Sequence, residues 1–134
     1  MALCFHQTTV KWVDSSLITL DLEYDYGGEI FSYYTQLETL KTFSKKNDIP
    51  INVFVEARLL NDQKVSRILQ DWYGDINLHC YDHRMKIDGP AEIRKSQKLF
   101  YDTFGYAPVG YRSTRFALNA DIILSLMDNG FKFD

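Results

Sequence analysis

A chain of 134 residues, 46% apolar and 25% charged, has the size and balance of one ordinary globular domain. Its formal net charge of −3 gives no basic footprint for nucleic acid, so the runs Lys45-Lys46 and Arg84-Met85-Lys86 are expected to be solvated surface. No apolar stretch approaches membrane-spanning length, residues 1–7 show no secretory pattern, and Cys4 and Cys80 are too few for a disulfide framework, so a reducing, cytoplasmic setting is expected.

Residues 1–16 are polar and aperiodic and are expected to form an irregular lead-in. Residues 17–24 alternate as a strand does, and Gly27-Gly28 ends it. A helix over about 33–46 follows, with Leu37, Leu40 and Phe43 or Ser44 on its inner stripe. Asn47-Asp48-Ile49-Pro50 stops that helix, and 51–55 is a short apolar strand. Val65, Ile68, Leu69 and Trp72 recur at the spacing of one buried helix face, which Gly74 closes. A third strand over 75–78 leads to His79. Asp88 is placed to cap a third helix with Pro90 in its first turn and Ile93, Gln97, Phe100 and Phe104 facing inward, up to Gly105. Residues 108–112 predict a fourth strand. Asn119 then caps a last helix that faces inward through Ile123, Leu126 and Met127 and stops at Gly130. Residues 131–133 begin a fifth strand. Strand and helix repeated four times, with a strand left over, predict an α/β domain whose parallel sheet is open or closes toward a barrel.

Two patterns carry chemistry. His79 and His83 lie four residues apart, so both rings converge on one ion if the backbone between them turns helical; two unrelated loop histidines give the same pattern. Asp21, Glu23 and Asp25 alternate, so they share one face of the first strand, opposite Leu20, Leu22 and Tyr24. Both faces of a parallel sheet are normally covered, and acidic groups there are costly unless solvated or bound to a cation; a wet edge strand is the plain alternative. One or two of these carboxylates with His79 and His83 would leave open positions on a zinc-like ion, as catalytic sites do. A neighbouring carboxylate could then take a proton from water, which implies hydrolysis at a carbonyl.

These residues resemble the polysaccharide deacetylase family (NodB homology), whose members remove acetyl groups from N-acetylated sugars with a divalent metal on a deformed (β/α) barrel. Residues 17–25 resemble its first motif, 75–83 its second and 110–133 its third, and 126–134 are similar to the segment that closes the third. The resemblance implies Asp21 as catalytic base, Arg112 as the arginine that orients it, and His79 and His83 as metal ligands. The family's adjacent acids are here separated as Asp21-Leu22-Glu23, which makes Glu23 the implied metal carboxylate with Asp25 in reserve. Cys80 occupies a position usual for Ser or Thr and is read as a small buried residue rather than a competing thiolate. Thr114 and Phe116 replace a proline and a glycine, so a bulkier groove floor and a small cyclic amide substrate form an alternative. The last two motifs, one supplying the general-acid histidine, would lie past Asp134, and His6 has no family counterpart.

Residues 17–134 are therefore expected to be the N-terminal part of a single deacetylase-like domain, an incomplete deformed barrel of about five parallel strands. The implied cofactor is a divalent metal, zinc by its ligands, and the implied partner an N-acetylated carbohydrate or small amide. Self-association through open sheet edges is also expected. The competing expectation is a catalytically incomplete, metal-binding module.

Overall fold

The structure is a computed structural model that describes residues 17–24, 31–84 and 89–132. Three short parallel strands form its sheet. β1 (Ile18–Leu22) pairs with β2 (Ile51–Val55), and β2 with β3 (Ile76–Leu78), in the spatial order β1-β2-β3. The sequence explains why β2 is central. Its near-continuous apolar run, Ile51-Asn52-Val53-Phe54-Val55, suits a strand covered on both faces. β1 alternates, and leaves Thr19 and Asp21 exposed while Leu22 is buried. The register sets Asp21 beside Phe54 and Phe54 beside Asn77, so these three share one face.

The helices cover this sheet largely as their periodicity predicts. α1 (Tyr34–Asn47) buries Leu37 and Ser44 and leaves Phe43 half exposed. Ser44 turns inward because its hydroxyl donates to the carbonyl of Ile49, 2.5 Å away. α2 (Gln63–Gln70) buries Val65, Ile68 and Leu69, and Trp72 just past it donates its indole N–H to the Ile51 carbonyl at 2.7 Å. Asp62 caps this helix by accepting from the amides of Lys64 and Val65. α3 (Pro90–Phe104) starts at Gly89, whose N–H donates to the Glu92 carboxylate at 3.1 Å; Asp88, the expected cap, lies outside the described residues. Ile93 and Phe100 are fully buried as expected.

α4 (Ala120–Asp128) is capped by Asn119 as expected but presents a different face. Ile122, Ser125 and Leu126 are buried, whereas Ile123 and Met127 are 45% and 65% exposed. The helix is apolar nearly all round, so periodicity does not select a side; packing against α3 does.

The fourth strand is the second correction. Residues 108–112 make a single parallel bridge, in which Leu78 donates to the Gly110 carbonyl (3.1 Å) and accepts from the Arg112 amide (2.8 Å). β3 is three residues long, and past Arg112 the chain bends into a 3₁₀ turn over Thr114–Phe116, so the ladder has no room to grow. Of the fifth strand, the described residues contain one ladder-like bond, from the Lys132 amide to the Val109 carbonyl at 2.8 Å. The sheet among the described residues thus has three strands instead of five and is not closed.

α2 ends at Gln70 with Asp71 as its C-cap, so Gly74 is not the helix stop the sequence suggested but a turn residue at the entry to β3. The φ of +131° at Gly74 and its approach to β2, where a Cβ would lie 2.2 Å from the Ile51 carbonyl oxygen, exclude any side chain.

Candidate metal centre

Parallel strands bring their C-terminal ends to one edge, and here the three exits stay in step. The Glu56 amide donates to the Leu22 carbonyl and the His79 amide to the Val55 carbonyl, each at 2.8 Å. Glu23, Glu56 and His79 therefore leave the sheet side by side. The chain then reverses after His79 and returns His83 to the same place. The turn is not helical, as the histidine spacing required. Cys80 adopts the left-handed region (φ 59°), and Asp82 closes the turn by accepting from the Arg84 amide at 3.0 Å.

The result is a cluster of Glu23, His79 and His83 whose ligand atoms all lie within 4.8 Å of one another. Glu23 Oε2 is 3.1 Å from His83 Nε2 and 3.8 Å from His79 Nε2. Tetrahedral bonds of about 2 Å set ligand atoms roughly 3.3 Å apart, so these separations suit one small ion. Two details strengthen the fit. His79 Nδ1 lies 2.9 Å from the Arg112 carbonyl, which can only accept; Nδ1 thus carries the proton and Nε2 offers its lone pair toward Glu23. Glu23 Oε2 is buried and receives no hydrogen bond, an orphaned anionic acceptor facing two nitrogens. Cys80 is fully buried, and its sulfur is not among the clustered ligand atoms. Asp25, the reserve carboxylate, lies outside the described residues.

Asp21 sits two residues before Glu23 on the same strand face and is paired with the Arg112 guanidinium. The guanidinium carbon of Arg112 lies over the Phe54 ring, 3.8 Å from its centroid, and its Nη1 reaches Thr19 Oγ1 at 3.4 Å. One residue thus serves both halves of the site: its side chain holds Asp21 and its carbonyl holds His79. A cleft of about 330 Å³ runs along β1 and includes Asp21, Glu23, Phe31, Tyr33 and Leu40 in its lining. Phe116 is 75% exposed, and Thr114 is the buried member of that turn.

The sequence reading missed a second layer behind the cluster. Glu56, Arg58, Asp82 and Arg84 form a chain of ion pairs. The bonded Arg84 guanidinium holds the Asp82 carboxyl below the usual carboxylate range, against burial, and Arg58 adds to the effect. The available signal was a Glu-x-Arg pair directly following a buried apolar strand.

Comparisons with known proteins bear on the architecture. The profile of Glycosyl hydrolase family 57 matches residues 81–133, a stretch that contains His83 and Arg112 but leaves out Asp21, Glu23 and His79. A comparison with curated proteins found no match. Among solved structures, the chain is similar to a mutant, with restored enzymatic activity, of a CE4 family pseudoenzyme from Bacillus anthracis; TM-score is 0.70 at 16% identity, over 87% of this chain and 42% of that one. It is also similar to a family 4 acetyl xylan esterase from Clostridium thermocellum in complex with a cobalt ion, with TM-score 0.58 and 17% identity over 87% and 55% of the two chains. A peptidoglycan N-acetylglucosamine deacetylase gives TM-score 0.61 and 19% identity over 87% and 54%. The chain spans about half the length of these structures. Identities this low speak for architecture, and in architecture this chain has the fold of the CE4 polysaccharide deacetylases.

Proposed function

We propose that residues 17–134 belong to a metal-dependent hydrolase that removes acetyl groups from N-acetylated sugars, with Glu23, His79 and His83 holding a divalent ion. The observation that carries this reading is the buried, unbonded Glu23 Oε2 set against two imidazole nitrogens. Two nitrogens and one carboxylate oxygen suit zinc and leave positions for substrate. Neighbouring structures include an acetyl xylan esterase and a peptidoglycan N-acetylglucosamine deacetylase, which supports an acetylated carbohydrate as substrate. A small cyclic amide remains the alternative.

When bound, the ion would polarise the acyl oxygen and make water easier to deprotonate. The protein's own groups do the rest. Asp21 takes the proton of the attacking water at its oxygen not engaged by Arg112, and Arg112 holds that carboxylate in place by charge and by stacking on Phe54. The C–N bond then breaks as a proton reaches the leaving nitrogen. Among the described residues both histidines belong to the cluster. A second reading is a metal-binding module without turnover, since a CE4 pseudoenzyme is among the similar structures. We also propose that the order β1-β2-β3 and its bridge follow the course of a deformed barrel, and that the side of β1 left unpaired among the described residues supports self-association.

The test is acetate release from N-acetylated chito-oligosaccharides with zinc present. Asp21→Asn should retain the ion and lose about a hundred- to ten-thousand-fold in rate. A loss below about tenfold would remove Asp21 from the role of base. Absence of release from a zinc-binding wild type would count against these sugars as substrates and leave the cyclic-amide alternative and the second reading in play.

A further inference from the structure

The two carboxylate–imidazole partners that lie closest, Glu23 and His83, come from distant parts of the chain, and the sheet alone does not hold His83. The residue following the first is Tyr24, and the residue preceding the second is Asp82. Both are gripped by one pair of side chains. Glu56 Oε2 accepts from the Tyr24 amide at 3.3 Å, and Glu56 Oε1 accepts from Arg58 Nε at 3.2 Å. Arg58 Nη1 then meets Asp82 Oδ2 at 2.9 Å. Arg58 also lies 4.8 Å from the Tyr24 ring centroid, and its carbonyl accepts from the Tyr24 hydroxyl at 3.4 Å.

Burial shows that this is a built arrangement. Glu56 is 1% exposed, and its charge is out of water with Arg58 as its ion-pair partner. Burying an ion pair is a poor way to gain stability, since apolar groups of similar size often serve as well. The arrangement does, however, fix geometry. An arginine fork can reach two carboxylates in set directions at once, which a lysine cannot. Here the fork spans from the residue beside one ligand to the residue beside the other.

We propose that Glu56 and Arg58 are positioning residues that hold Glu23 and His83 at ion-binding separation. This rests on the metal-site reading above. Partners behind the ligands of a metal site commonly change affinity ten- to hundredfold when removed, and the clamp should act on that scale.

Zinc alone, titrated calorimetrically into metal-stripped protein, tests the proposal on wild type, Arg58→Met, Arg58→Lys, His83→Ala and the double variant Glu56→Gln/Arg58→Met. The double variant leaves no unpaired buried charge at Glu56 and decides the matter if Arg58→Met fails to fold. The expected result is zinc binding weakened about ten- to hundredfold in Arg58→Met and in the double variant, with Arg58→Lys between them and wild type. Thermal midpoints of the metal-free proteins separate a purely structural role, which would lower the midpoint and leave affinity unchanged. Wild-type affinity in the folded Arg58 variants, with loss in His83→Ala, overturns the clamp alone. A wild type that does not bind zinc overturns the site reading and the clamp with it.

Discussion

Arg112 does two jobs through two different atoms, and a substitution separates them. Its guanidinium holds Asp21, while its carbonyl fixes the proton on His79 Nδ1. Arg112→Met keeps the carbonyl, so zinc should still bind, while acetate release should fall about a hundredfold as Asp21 loses its orientation. Parallel loss of both would place the side chain in the metal site itself. Gly74→Ala is the matching test of backbone geometry: with φ at +131° and a Cβ forced onto the Ile51 carbonyl, it should cost well over about 1 kcal/mol in urea denaturation. At this scale alternation placed Asp21 and Glu23 on one face, and spacing singled out His79 and His83 as candidates. The turn that joins the histidines is not the helical one the spacing asked for, and the preference for Glu23 over Asp25 came from the family resemblance. The carbonyl of Arg112 was not legible, since every residue carries one. Nor was Glu56, whose environment exists only once Tyr24 and Arg58 are brought beside it.

The helices owe their ends to local chemistry and their orientation to tertiary packing. Asp62 shows the first. Burial pushes its carboxyl up, but hydrogen bonds from Tyr34 and from the Lys64 and Val65 amides outweigh this and hold it below its ordinary value. A lowered folded value means that this stabilisation is fully present above the unfolded value of about 4 and is lost as pH falls through the folded one. Asp62→Ala should therefore cost about 1 kcal/mol at pH 7 and progressively less in acid, measured by urea midpoints at both ends. An equal cost at pH 7 and pH 2 would mean that the charge plays no part. Caps such as Asn119 and the stop at Gly105 were legible for the same local reasons. The buried side of α4 was not, because Ile122, Ile123, Leu126 and Met127 offer two apolar faces and α3 chooses between them. The fourth strand shrank to one bridge for an equally non-local reason, the shortness of β3.

At the scale of the molecule, the parallel sense of the strands follows from the alternation of elements, while their order and the extent of the sheet do not. Among the described residues β1 pairs on one side only, and Ile123, Leu124 and Met127 are exposed on α4. An unpaired edge together with exposed apolar side chains favours contact between copies, so light scattering over a dilution series should show self-association in the micromolar range. A constant monomer mass across the series would show that this edge and face stay solvated. No helix among the described residues is long and apolar enough to cross a membrane.

Everything proposed for function depends on one ion resting between Glu23, His79 and His83. Calorimetric titration of zinc into metal-stripped wild type, Glu23→Ala and His83→Ala addresses it directly. One ion per wild-type chain is expected, with binding abolished in His83→Ala and severely weakened in Glu23→Ala. Equal affinity in all three proteins would contradict the site.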